Sequence, residues 1–297
     1  MNFLATYIMR GRIQAMIVAT SLAILSLMMP PVSVLSSATV GLVTLRLGAK
    51  EGLTVLGCSS LATAVLGFFV IDSFQFALMY VMVLWLPVWI ISIVLRETRS
   101  LFLTIEIAVW VGVIGVVGFY LYDAEPAILW KAMLSQMIPA EVPIVDLQQK
   151  IDMLVHYMTG VIAAGSVCGL LFGLFLSRWW QANLYNPGGF RQEFLFLQCK
   201  SRLSIVTFAI VGLAYLTSGI VSEIAWNTTI LLFVLFSVTG TAVLHTVFSK
   251  MKLDRYTVPM LYITLFLIPH AFLIVALVGL SDPWLNLRKI KIESTHA

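Results

Sequence analysis

Charge is what this chain has least of. Only 11% of its 297 residues are Asp, Glu, Lys or Arg, against about a quarter in soluble domains. No water-facing surface can be assembled from so few charges, which excludes an ordinary soluble enzyme; the 60% hydrophobic content excludes a disordered chain as well. Cysteine is scarce too. Cys58, Cys168 and Cys199 are odd in number and far apart, so they indicate neither a disulfide framework nor a metal site. The formal charge of +4 arises from basic residues standing singly or in pairs between apolar runs, not from the patch that nucleic acid needs. Enzyme signatures are missing: there is no His-Glu-x-x-His, no Gly-x-Ser-x-Gly, no P-loop and no Gly-x-Gly-x-x-Gly. His156, His245, His270 and His296 are scattered singly. These absences point away from catalysis and imply no cofactor.

What the chain has is hydrophobic length, with a mean hydropathy of +1.00. A spanning helix needs about 20 apolar residues. Nine segments qualify as candidates: Ile13–Met29, Val32–Leu45, Leu53–Ile71, Phe74–Leu95, Leu101–Tyr122, Leu154–Leu176, Leu203–Val221, Thr228–Phe248 and Val258–Leu280. The expected fold is all-α: a polytopic transmembrane helical bundle of eight to nine hydrophobic segments in a single integral membrane domain over 1–297. Val32–Leu45 is short, about 14 residues, and follows Pro30-Pro31 with no polar loop, which suits a tilted or re-entrant segment as well as a full span. The first segment follows Arg10 and Arg12 as a signal peptide would, but its apolar run is long and no A-x-A-like site follows, so it reads as an uncleaved helix. The sequon Asn227-Thr228-Thr229 falls at a helix boundary.

Lys and Arg orient such helices. With all nine segments crossing, one side holds Arg10, Arg12, Arg46, Lys50, Arg96, Arg99, Arg178, Arg191, Lys200, Arg202, Lys250, Lys252 and Arg255. The other side's loops hold only Lys131 and Lys150, beside Asp72, Asp123, Glu125, Glu141, Asp146, Asp152 and Glu223. The first side is expected to be cytoplasmic. Arg288, Lys289 and Lys291 would then lie outside, against the rule. Either the last segment, interrupted by Pro269, does not cross simply, or the tail is a tolerated exception.

Two stretches lie between segments. Asp123–Asp152 is an acidic loop expected outside, with helical spacing from Ile128 to Met137 that suits an interfacial helix. Arg178–Arg202 is expected to be a cytoplasmic loop. Its Asn186-Pro187-Gly188-Gly189 is turn chemistry, flanked by Trp179, Trp180, Tyr185, Phe190 and Phe194, which suit either an aromatic belt around a tight turn or a partner-docking loop. This stretch, the opening Ile8-Met9-Arg10-Gly11-Arg12, Pro30-Pro31, the run Leu42-Val43-Thr44-Leu45-Arg46-Leu47-Gly48 and the ending Gly279–Lys289 together resemble the YybS-like family of bacterial membrane proteins. The resemblance implies a bacterial inner-membrane address and an eight-helix-like fold, and no catalytic residue. At the level of fold the chain is also similar to the substrate-binding S components of energy-coupling-factor vitamin transporters, an analogy only.

Glu106 stands about 9 Å inside the fifth segment at 1.5 Å per residue, a depth at which a carboxylate needs protein, water or a partner. Trp110, Val113 and Val117 share its face, while Gly112, Gly115 and Gly118 spread over the opposite arc as an expected packing surface. Glu106 is thus a structural carboxylate or a ligand-binding one. Ala15, Ala19 and Ala23, like Gly165, Gly169 and Gly173, recur at every fourth residue and permit close helix approach. S components dock their membrane coupling subunit through an Ala-x-x-x-Ala face on the first helix, and the alanine stripe resembles that arrangement. Two functions fit: a small-molecule-handling, S-component-like transport subunit, or a non-catalytic scaffold of an envelope assembly, each with the lipid bilayer as its surroundings.

The charge asymmetry is testable by membrane-impermeant thiol labelling of single-cysteine variants. Ser135→Cys is expected to react from outside and Gln192→Cys only after permeabilisation; the reverse pattern would invert the topology.

Overall fold

The computed structural model describes residues 2–137 and 144–289, and all regular structure among them is helical. In chain order the helices are α1 (Asn2–Ile8), α2 (Arg12–Leu25), α3 (Val32–Leu47), α4 (Ala49–Ile71), α5 (Gln75–Tyr80), α6 (Leu86–Thr98), α7 (Leu101–Tyr122), α8 (Pro126–Met137), α9 (Ile144–Leu154), α10 (Met158–Tyr185), α11 (Gly189–Leu195), α12 (Ser201–Leu216), α13 (Ile220–Lys250), α14 (Asp254–Leu267) and α15 (Ala271–Leu285). Among the described residues, five stretches are long and apolar enough to cross a membrane: Ala49–Val70, Gln75–Thr98, Leu101–Tyr122, Gln148–Tyr185 and Ile220–Lys250. Hydrocarbon bonds to no peptide group, so a helix, which pairs its own N–H and C=O groups, is the form such sequences take. The chain is a multi-pass helical membrane protein. It divides into two compact units, one of Met1–Ala108 with Ser166–Phe194 and one of Val109–Gly165 with Leu195–Ala297.

In the first unit α3 forms the centre. Residues 36–45 are all buried. The sequence Ser36-Ser37-Ala38-Thr39-Val40-Gly41 supplies small side chains that allow this. Ser36 donates to the carbonyl of Ala19 at 2.7 Å and accepts from the indole of the fully buried Trp85 at 3.1 Å. A side chain on Gly41 would meet Ser177, and one on Gly173 would meet Ser37 and Val88, so α3, α6 and α10 approach through these glycines. The short segment Val32–Leu45 therefore lies at the centre of its unit, not at its periphery. The basic end of α3 is capped from its neighbours. Leu45 presents its carbonyl to Arg96 Nη1 at 2.8 Å and Gln181 Nε2 at 3.2 Å, satisfying an oxygen left free where the helix stops. Gly48, at φ 113°, turns the chain into α4, where Glu51 holds Arg12 in a two-pronged ion pair at 2.6 Å. Between α5 and α6 the helix widens into a π turn over Val81–Trp85 just before Pro87, which lacks an N–H to continue the regular ladder. The expected first segment, Ile13–Met29, is helical only to Leu25, and α1 packs Ala5 and Ile8 beside Ala15, Leu42 and Trp180.

In the second unit α13 is the axis, 31 residues and about 46 Å long. α12 runs antiparallel to it, and Ser222 donates to the Ala214 carbonyl at 2.7 Å. α15 meets α13 backbone to backbone. A Cβ on Gly240 would lie 1.9 Å from the Val275 carbonyl oxygen, and one on Gly279 would lie 2.1 Å from that of Phe236. The expected single segment Val258–Leu280 is corrected here. It is two helices, broken at Ile268–His270 because Pro269 cannot donate the next helical bond. α14 leaves the basic end of α13, and α15 returns to it. Arg288 then donates to the carbonyls of Leu195 and Leu197 and pairs with Asp282 at 3.2 Å, while Lys250 bonds the Arg288 carbonyl. So Arg288 sits beside Lys250 rather than opposite it. The apparent exception to the charge rule came from counting a hairpin as a crossing. At the other end, the expected helix from Ile128 to Met137 is α8, α9 follows, and Glu141 lies outside the described residues.

Because Gly240 faces a carbonyl oxygen that cannot move without its helix, Gly240→Ala is expected to lower the thermal unfolding midpoint in detergent, by an overpacking cost of about 1–3 kcal/mol. Gly115→Ala, where a Cβ meets open space, should leave the midpoint unchanged or slightly raised; equal midpoints for the two variants would contradict the crossing.

Candidate functional site

The acidic end of the second unit holds a polar cluster built from three stretches of chain. Glu223 and Asn227, four residues apart, share one face of the first turns of α13. Tyr120 comes from the last turn of α7, and His156 from a single 3₁₀ turn, Val155–Tyr157, that leads into α10. The Tyr120 hydroxyl donates to Glu223 Oε2 at 3.1 Å, and His156 Nδ1 lies 2.8 Å from Glu223 Oε1. An ionised carboxylate only accepts, so this contact requires the proton on Nδ1. Nε2 is then left for another partner, on a side chain that is 48% exposed.

Asn227 organises the cluster from beneath and is completely buried. Its amide nitrogen faces the carbonyls of His156 at 2.7 Å and Glu223 at 2.8 Å and the Tyr120 hydroxyl at 3.2 Å. Its oxygen accepts from the backbone N–H of Gly160. Gly160 has to be glycine, because a Cβ there would lie 2.8 Å from the Asn227 Cα. Trp130 of α8 donates to Thr159 at 2.9 Å, and Trp226 packs edge-to-face with Tyr215 and Tyr157. A half-buried carboxylate is thereby held by a phenol and an imidazole, with the imidazole opening outward. The arrangement can bind hydrogen-bonding or cationic groups and can pass a proton between Glu223 and His156. The sequon is consumed in it: Asn227 is an internal strut, closed to any glycosylating enzyme.

The residues singled out from the sequence are distributed differently. Glu106 is half-buried in α7, with no hydrogen bond or ion pair among the described residues. Arg46 and Arg178, on the basic side of the same unit, are engaged elsewhere, Arg46 over the Tyr185 ring at 3.9 Å and Arg178 against Glu193 and Gln181. Of the expected glycine packing face of α7, Gly115 and Gly118 front open space, while the buried residues of the helix include Val109, Val113, Val116 and Tyr120. Of Gly165, Gly169 and Gly173, only Gly173 makes a close approach. Ala15, Ala19 and Ala23 are fully buried. They pack against Ala38, Val40, Val55 and Leu56, so the stripe offers no free docking face.

The expected loop Arg178–Arg202 is mostly helix. α10 carries Arg178, Trp179 and Trp180 to Tyr185, and Trp180 is fully buried. Asn186, Pro187 and Gly188 make the turn, with Gly188 alone at positive φ, 86°; Gly189 already begins α11. The Arg178–Glu193 ion pair, 2.9 Å at Nε, and the rings of Phe175, Phe190 and Phe194 close the elbow. Trp179 and Phe190 line an open apolar groove of about 490 Å³ with Pro31, Val34, Leu35 and Phe172.

In the sequence Tyr120 carries no signal, His156 is one of four scattered histidines, Asn227 figures only in the sequon and Glu223 only as a loop charge. The available signal was the pair Glu223 and Asn227 at helical spacing at the head of a long apolar run. Compared with known proteins, the chain matches no family model, no curated protein and no solved structure.

Asn227→Ala is expected to orphan the Gly160 N–H and the His156 carbonyl, at about 1–3 kcal/mol for such a buried loss. The measurement is the unfolding midpoint in detergent; a value equal to wild type would mean that the cluster does not organise this end of the unit.

Proposed function

We propose that this multi-pass helical membrane protein is a non-enzymatic, small-molecule-handling subunit, and that its recognition point is the cluster of Tyr120, His156, Glu223 and Asn227. The observation that carries the reading is Glu223: a carboxylate in a membrane-crossing helix, held at 3.1 Å by Tyr120 and at 2.8 Å by His156, with the imidazole exposed. Glu223 stands in the first turn of a helix longer than the hydrocarbon is thick, at a polar end that a small molecule can reach. Scaffolding alone gives no reason to leave a paired carboxylate and imidazole open at the end of a helix. Under this reading the acidic end faces outward and receives the molecule, as the charge asymmetry of the loops suggests. The resemblance to the YybS-like family and the fold-level analogy with S components are in keeping with it, and supply no substrate.

The test is native mass spectrometry of protein purified in mild detergent. Wild type is expected to retain a small molecule, and Glu223→Gln, which keeps size but not charge, to lose most of it at unchanged stability. Wild-type protein that carries partner chains and never a ligand would instead favour the scaffold reading.

A further inference from the structure

The donors of the Glu223 cluster are already spent inside it. Asn227 has two amide hydrogens, and the carbonyls of His156 and Glu223, at 2.7 and 2.8 Å, take both. The single hydrogen of the Tyr120 hydroxyl goes to Glu223 Oε2 at 3.1 Å, and that of His156 Nδ1 goes to Glu223 Oε1 at 2.8 Å. Trp130 gives its N–H to Thr159, and Lys131 of the same helix is paired with Asp152 at 2.6 Å. Among the described residues no lysine or arginine bonds to the cluster. Tyr120 and Asn227 are buried, whereas the side chains of Glu223 and His156 are 27% and 48% exposed, so an incoming molecule meets only these two. Each carboxylate oxygen has two lone-pair sites and has used one here; Nε2 of the neutral imidazole holds a further lone pair. The reachable part of the site is therefore a negative charge and a set of acceptors, with no donor beside them.

We propose that the molecule received here carries a primary ammonium group that docks on Glu223 and His156; the inference rests on reading this cluster as the recognition point. A primary ammonium has three hydrogens to donate, no lone pair and a positive charge, the complement of what the site leaves open. An anion finds a like charge and no free donor. A quaternary ammonium supplies the charge but no N–H, and leaves the lone pairs unanswered. A metal ion finds too few ligands, because among the described residues no three His, Cys, Asp or Glu side chains converge. The surroundings suit a carbon body attached to the amine. Trp226, one turn from Glu223 on α13, meets the rings of Tyr215 at 4.9 Å and Tyr157 at 6.4 Å, and both tyrosines are exposed. Such rings offer apolar surface beside a polar anchor. The ammonium can belong to a free amine or to the headgroup of an aminophospholipid; the chemistry at Glu223 is the same.

The probes are phenethylamine, its trimethylammonium counterpart and phenylacetate, titrated calorimetrically into the full chain in mild detergent. Wild type is expected to bind phenethylamine about tenfold or more tightly than the trimethylated cation, as lost hydrogen bonds to a charged group imply, and not to bind phenylacetate. Glu223→Gln and His156→Leu are each expected to weaken the amine by about tenfold or more. Glu125→Gln, an exposed acid outside the cluster, should leave its affinity unchanged. Equal affinity for the trimethylated cation, binding of phenylacetate, unchanged amine affinity in Glu223→Gln, or binding of no probe would each overturn the proposal. Native mass spectrometry of the wild type then separates the sources. A retained aminophospholipid that phenethylamine displaces identifies the lipid headgroup, and a retained water-soluble amine identifies the free one. A retained molecule without an amino group, lost in Glu223→Gln, would overturn the ammonium and leave the small-molecule site standing. No retained ligand and no amine binding would remove both.

Discussion

Hydrocarbon offers a peptide group nothing to bond with, and the interruptions in these helices have to be read against that constraint. Where the chain turns at the ends of helices it uses left-handed residues, Asp72, Arg99 and Gly219 among them, and carbonyls freed at an end find side chains. The Leu45 oxygen, shared by Arg96 and Gln181, is the clearest instance. Arg288 does the same for Leu195 and Leu197, which tethers the last helix to the basic end of its unit. Basic side chains here are ties for helix termini as well as markers of orientation.

A second constraint concerns distance. In a membrane there is little hydrophobic gain in bringing two apolar helices together, so association rests on close packing and on hydrogen bonds across the contact. Both units meet this with small residues at single crossing points. Gly41 and Gly173 admit serines in the first unit, Gly240 and Gly279 bring two backbones together in the second, and Gly160 admits Asn227. Long glycine or alanine stripes are not what distinguishes these places. Gly115, Gly118, Gly165 and Gly169 follow the same spacing and meet nothing, because spacing marks a face of a helix without saying whether a neighbour is there.

The Glu223 cluster shows the same division between pattern and partner. Its members are more than a hundred residues apart at the extremes, Tyr120 to Asn227, and each alone is unremarkable: a tyrosine at a helix end, a histidine in a linker, a glutamate in a first turn. Asn227 stood out only as part of a sequon, a reading that assumes exposure. Its complete burial reverses the meaning of the residue, from a possible attachment point to the strut that positions His156 and Tyr120 about one carboxylate. Glu106 illustrates the opposite case, conspicuous by depth but joined to no polar partner among the described residues.

Composition and run length alone determined that the chain is helical and crosses a membrane several times, because both depend only on how much apolar surface a stretch carries. Leu101–Tyr122 has the same bounds in sequence and structure, and most other segments shift by a few residues. Local chemistry also located the turn at Asn186–Gly188 and the helix near Ile128, since each is decided within one or two turns of chain. Whether a segment crosses or folds back is not local. Pro269 interrupts the apolar run without showing which way the chain continues; the contact of Gly279 with Gly240 and the bonds of Arg288 turn α15 back toward Lys250. The burial of α3 and the meeting of Tyr120, His156, Glu223 and Asn227 were likewise decided only by tertiary structure. Each depends on which helices become neighbours, and hydrophobic segments of nearly equal character carry no mark of that choice.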